Sequence, residues 1–170
     1  MGHAAVVKRT LVCLLFLLNL VCLLPAQAYS LQEAQTEVAG LVAGQRAPEG
    51  VVFEIISRNK DILQTALPAI QYMVAQLRDA YPDLDIAVVS HGPEQFALTR
   101  ENAASHQASH QAVQSLRGGN VNVHVCGAYA DYKGVSAEAF PEYVDVAAHG
   151  PSLIKDYIDL GYRHIKIKND

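Results

Sequence analysis

Val88-Val89-Ser90-His91-Gly92-Pro93 and Val146-Ala147-Ala148-His149-Gly150-Pro151 are two versions of one pattern. Each is an apolar run that ends in histidine, passes through glycine and meets proline. Glycine permits a sharp turn, and proline is preset for the first turn of a helix, so the pattern reads strand, turn, helix. Between the two lies Val121-Asn122-Val123-His124-Val125-Cys126-Gly127, where the residue before glycine is a thiol. Working outward, short apolar runs at 51–56, 84–90, 121–126, 143–148 and 164–168 predict five strands. Helical spacing predicts helices over 61–80, 103–116 and 151–160, with short helical pieces at 93–98 and near 136–140. Pro68 inside the first of these predicts a kink or a late start. A loop holding Tyr129, Tyr132 and Lys133-Gly134 is expected after the third strand. Strands separated by helices imply βαβ units and an α/β fold with a five-stranded, mainly parallel sheet. Continuous Val/Ile-rich strands fit a sheet covered on both faces. Ligands of such sheets bind beyond the carboxyl ends of the strands, which is where the reactive side chains fall.

The amino-terminal segment has a different character. Lys8 and Arg9 precede an apolar run from Leu11 to Leu24, then Pro25 and the small-x-small sequence Ala26-Gln27-Ala28. This is the order of a secretory signal peptide, and a run of about 14 apolar residues is short for a membrane span, which needs about 20. Residues 1–28 are therefore expected to be removed, leaving a periplasmic or secreted chain with no membrane attachment. Ser30-Leu31-Gln32-Glu33 reads as a capping box that starts a helix, with a linker after it, so 29–49 form a helix and tether. The α/β domain then occupies 50–170.

Composition narrows the partners. The 170 residues carry 13 Lys and Arg against 17 Asp and Glu, a formal net charge of −4. Loss of Lys8 and Arg9 leaves 11 basic residues and a net charge of about −6, with no basic cluster. Nucleic acid is accordingly not an expected partner. Cys13 and Cys22 leave with the same segment, so Cys126 is expected to stand alone, with no intramolecular disulfide. No Cys-x-x-Cys, Gly-x-Gly-x-x-Gly, Gly-Lys-Ser/Thr or Gly-x-Ser-x-Gly occurs, and no cofactor is expected.

If the second, third and fourth strands are neighbours, His91, Cys126 and His149 line one sheet edge. An imidazole near the sulfur would favour the thiolate, which is the nucleophile. Gly92, Gly127 and Gly150 would let backbone N–H groups face a ligand. His124 alternates with Val123 and Val125, so it shares a face with Cys126, either as a satisfied half-buried histidine or as a partner of the thiol. Other readings stand beside these. Each His-Gly-Pro is also ordinary turn chemistry, and a lone cysteine is often a small buried hydrophobe. His91, Cys126 and His149 also form a donor set suited to copper or zinc. His106 and His110 share a helix face at i, i+4, but Ala104, Ala108, Ala112 and Leu116 define the apolar stripe, so both are expected in solvent.

Val51-Val52-Phe53-Glu54-Ile55, the Asp85 to Pro93 stretch and Val121 to Gly127 resemble the DsrE/DsrF-like sulfur-relay family. So do Lys133-Gly134-Val135, in the slot after the cysteine, and Gly161-Tyr162-Arg163-His164-Ile165-Lys166. The resemblance covers about residues 50–170. It implies a three-layer α/β/α sandwich of five parallel strands with the second, third and fourth adjacent. It also implies a homo-oligomer, a trimer or hexamer. By the same resemblance Cys126 accepts sulfane sulfur as a persulfide from a donor and passes it to an acceptor, neither of which the sequence identifies. A non-catalytic oligomeric interaction module is the remaining expectation.

Overall fold

A computed structural model describes residues 26–44 and 46–169. The charged and apolar parts of the expected signal segment lie outside them. The strands are β1 (Gly50–Ser57), β2 (Asp85–Ser90), β3 (Val121–Cys126), β4 (Asp145–Ala147) and β5 (Tyr162–Asn169). The α-helices are α1 (Ala26–Val42), α2 (Leu63–Ala80), α3 (Gln107–Gly118), α4 (Gly127–Tyr132) and α5 (Gly150–Asp159), with 3-10 turns at Pro93–Leu98 and Ala137–Ala139. The strands form one sheet in the order β4-β3-β2-β1-β5, every neighbouring pair parallel. No helix among the described residues is long and apolar enough to cross a membrane.

Alternation along each strand divides the core in two. Val51, Phe53 and Ile55 of β1, with Ile86, Val88, Val121, Val123, Ile165 and Ile167, face α1, α2 and α3 in the main core. Val52, Ala87 and Val89 face the other way and pack on Ile154 of α5, with Leu153, Tyr157 and Tyr162 at the margin. The result is a three-layer α/β/α sandwich whose second face is covered by one helix of 10 residues. That single cover leaves polar residues of the same sheet face, Glu54, His91, His124, His164 and Lys166, free to meet one another or solvent.

Several local expectations are corrected. Ser30 lies inside α1, which already runs from Ala26, so the Ser30–Glu33 pair does not cap its start. α2 begins late, at Leu63, and carries Pro68 within it. β3 runs directly into α4, so Tyr129 and Tyr132 sit on a helix rather than a loop; Gly134, at φ 74°, then turns the chain. β4 is only three residues long. α3 buries Ser109, His110, Ala112, Val113 and Leu116: Ala112 and Leu116 of the expected stripe do face inward, but Ala108 is exposed and Ala104 precedes the helix, because turning Val113 inward buries more apolar surface than Ala108 would. His110 is therefore buried, its Nδ1 accepting from the Tyr143 hydroxyl at 2.6 Å and its Nε2–H donating to Ala97 O at 3.0 Å. Burial holds its pKa below the usual histidine value of 6.5, even though the Ala97 bond favours the charged form. His106 precedes the helix and lies 3.4 Å from Asp61.

Candidate functional site

Parallel register places the strand ends side by side. Ser90 pairs with Ile55 on one side and Val125 on the other, so His91, one residue on, falls between Ile56 and Cys126. Cys126 in turn pairs with Ala147. His91 and Cys126 are thus neighbours at the carboxyl edge, and His149 follows the end of the next strand.

Cys126 is the free cysteine of the described residues and is 3% exposed. Its sulfur accepts the N–H of Gly150 at 3.2 Å. Gly150 is the first residue of α5, so Sγ takes up one of the N–H groups that a helix start leaves unpaired. A side chain at 150 would not fit: its Cβ would stand 2.8 Å from His91 Cβ and 3.1 Å from Cys126 Cβ. The backbone of Cys126 is clamped as well. The amide of the fully buried Gln95 accepts from Cys126 N at 2.9 Å and donates to Cys126 O at 3.1 Å, as a further strand would.

The two His-Gly-Pro tripeptides differ in use. His91 turns from the sulfur toward β1 and donates from Nε2 to Glu54 Oε1 at 2.8 Å. His149 is exposed and caps α5, its Nδ1 accepting from Ser152 N at 3.3 Å. No hydrogen bond joins either imidazole to Sγ among the described residues. His124 is half-buried, with Nε2 3.2 Å from the Tyr157 hydroxyl. Burial, the largest influence, keeps its pKa below 6.5, against the pull of Asp145. The glycines serve close approach. Gly127 has Ala147 O and Val146 against the position of its missing side chain, and Gly92 has the Glu94 carboxylate. Of the N–H groups near Gly127, that of Ala128 is taken by Ala148 O at 3.0 Å. Among the described residues no group of three or more His, Cys, Asp or Glu is placed to hold a metal ion.

Two carboxylates that the strand-end pattern did not single out organise this edge. Glu54, 5% exposed, binds His91 and Lys166 through Oε1 and His164 through Oε2, at 2.8, 2.9 and 2.6 Å. Burial alone would raise its pKa; the bonds from His91, Lys166 and His164 outweigh that and lower it to about 2. Glu94, fully buried, accepts from Ser57 N, Ser90 Oγ and Gly92 N at 3.0, 2.8 and 2.9 Å. Glu54 has a signal in sequence, a charge inside an otherwise apolar strand. Glu94 and Gln95 have only their place after Pro93, where polar residues are commonplace.

Comparison with family models and with the curated proteins finds no match. Solved structures are similar. A protein of unknown function, MTH1491 from Methanobacterium thermoautotrophicum, is 22% identical, with a TM-score of 0.56 over 68% of this chain and 96% of that one. The ychN protein from E. coli is 17% identical, with a TM-score of 0.50 over 71% of this chain and 99% of its own. At these identities the likeness is one of fold, and it covers nearly the whole of each relative.

Proposed function

We propose that the protein is an exported sulfur carrier of the DsrE/DsrF-like type, holding sulfane sulfur as a persulfide on Cys126. The observation that carries this reading is the bond from Gly150 N, at the start of α5, to Cys126 Sγ. A helix start favours negative charge, so this donor suits a sulfur that must act as an anion. In loading, the thiol proton passes to solvent and the thiolate attacks the outer sulfur of a donor RS–S⁻. A Cys126 S–S bond forms, the donor S–S bond breaks, and RS⁻ leaves. The sulfur moves without net oxidation, so no external oxidant or reductant enters. His91 acts as a positioning residue beside Cys126, tied back to Glu54. At 3% exposure the thiol admits a donor only when the turn from Ala148 to Gly150 opens, and a sulfur stored there is shielded from bulk oxidants. The oligomer expected of this type brings no residue to the site in this reading.

The test is intact mass spectrometry of the chain cut after Ala28, incubated with polysulfide. One added sulfur on the wild type and none on Cys126→Ser is expected. Equal addition to both, or no addition to the wild type, overturns the proposal. In the latter case slow reaction of Cys126 with a small thiol reagent would point to the interaction-module reading.

A further inference from the structure

The carboxyl ends of β1, β2 and β5 enclose a cleft of about 510 Å³, distinct from the thiol, lined by Arg58, His91, Pro93, Tyr129, Lys166 and Lys168. Three of these are cations, in a chain whose formal charge is −4; Lys166 is paired with Glu54, which leaves Arg58 as the cation that faces the cleft with no partner among the described residues. Among the described residues no carboxylate lines the cleft. Glu54 is engaged by His91, His164 and Lys166. Glu94 lies beneath with no exposure, its oxygens taken by Ser57, Ser90 and Gly92. Arg58 is exposed and makes no hydrogen bond or ion pair among the described residues. Tyr129, also in the lining, stacks on Phe96, ring centroids 5.7 Å apart and 28° from parallel, with Lys133 Nζ 5.7 Å from its own centroid. The cleft therefore brings an unpaired guanidinium and a held aromatic ring into one lining.

We infer that this cleft binds a small organic oxyanion, a phosphate ester or a dicarboxylate. Arg58 takes its charged end, in the fork geometry that guanidinium offers to carboxylate and phosphate. Tyr129 and Pro93 take its apolar end. The inference does not rest on the persulfide reading, and Cys126→Ser retains the binding.

Amide NMR titration of the full folded chain tests it, following the signals of Arg58, Gly92 and Tyr129. The probes are phenyl phosphate, phenylsuccinate, inorganic phosphate and benzyl alcohol. Saturable shifts with phenyl phosphate or phenylsuccinate are expected, and whichever binds more tightly names the class. Inorganic phosphate binds more weakly. Loss of one charge-assisted contact in Arg58→Gln weakens binding about tenfold or more. Added salt weakens it too, and Lys155→Gln, on the exposed face of α5, leaves it unchanged. Equal shifts with benzyl alcohol, equal affinity for inorganic phosphate, no saturation with either organic anion, or an Arg58→Gln titration like the wild type each overturn the inference.

Discussion

Gly150 and Glu54 carry the site at the scale of single residues. Gly150 brings a backbone N–H to Cys126 Sγ because it has no side chain to separate α5 from β2 and β3. Gly150→Ala must push against Cys126 Cβ, at the end of β3, and His91 Cβ, one residue past β2 and tied to Glu54, both of which move little. It should cost about 1–3 kcal/mol of stability in urea unfolding and should speed reaction of Cys126 with a thiol reagent as the helix start lifts away. Glu54 is the opposite kind of residue, a buried charge that persists because three donors hold it. Its folded pKa of about 2 lies below the ordinary 4.5. The stabilisation is therefore complete above pH 4.5 and is lost as pH falls through about 2, on the order of 3 kcal/mol in all. Acid unfolding followed by circular dichroism should show this step in the wild type and not in Glu54→Gln. His91 and His149 show how far residue identity reaches. The tripeptides are the same, and the uses differ because only His91 has a carboxylate within reach across the sheet.

Pro93–Leu98 is one 3-10 turn, yet as an element it ties three strands. Glu94 binds the end of β1 and the turn after β2, and Gln95 binds both backbone groups at the end of β3. Gln95→Ala leaves Cys126 N and O buried without partners, and should cost about 2–4 kcal/mol with an unchanged denaturant slope. Hydrogen exchange at Cys126 N should quicken more than at Val123 N, which lies deeper in β3. Strand and helix existence was legible from alternating apolar runs and from the glycine and proline that bound them. How far the inward face of α3 extends around the helix was not, because Ala112 and Leu116 serve a face centred on Ala108 or one centred on Val113 equally well, and only the shape of the facing sheet decides. For the same reason His110 reads as a surface residue in sequence and as a buried, neutral one in the fold.

For the whole molecule, the order β4-β3-β2-β1-β5 gathers the reactive residues at one edge. Three helices cover one face of the sheet and one covers the other, so the polar side chains fall on the thinly covered face. His110 and His124 are both held below 6.5 by burial, so the folded chain binds fewer protons than the unfolded one. Global stability should accordingly begin to fall as pH drops below about 6.5, before the Glu54 step. The sequence by itself determined the βαβ alternation, the five strands, the turns that end them and the position of Cys126 at a strand end. These follow from local rules, since apolar period, glycine and proline act within a few residues. Only the tertiary structure decided that Gly150 N, not an imidazole, meets the sulfur, and that Gln95 clamps its backbone. It also decided that Glu54 draws His91, His164 and Lys166 together. Those contacts join residues from 24 to about 110 positions apart, and no local rule relates side chains across that distance until the sheet sets their register.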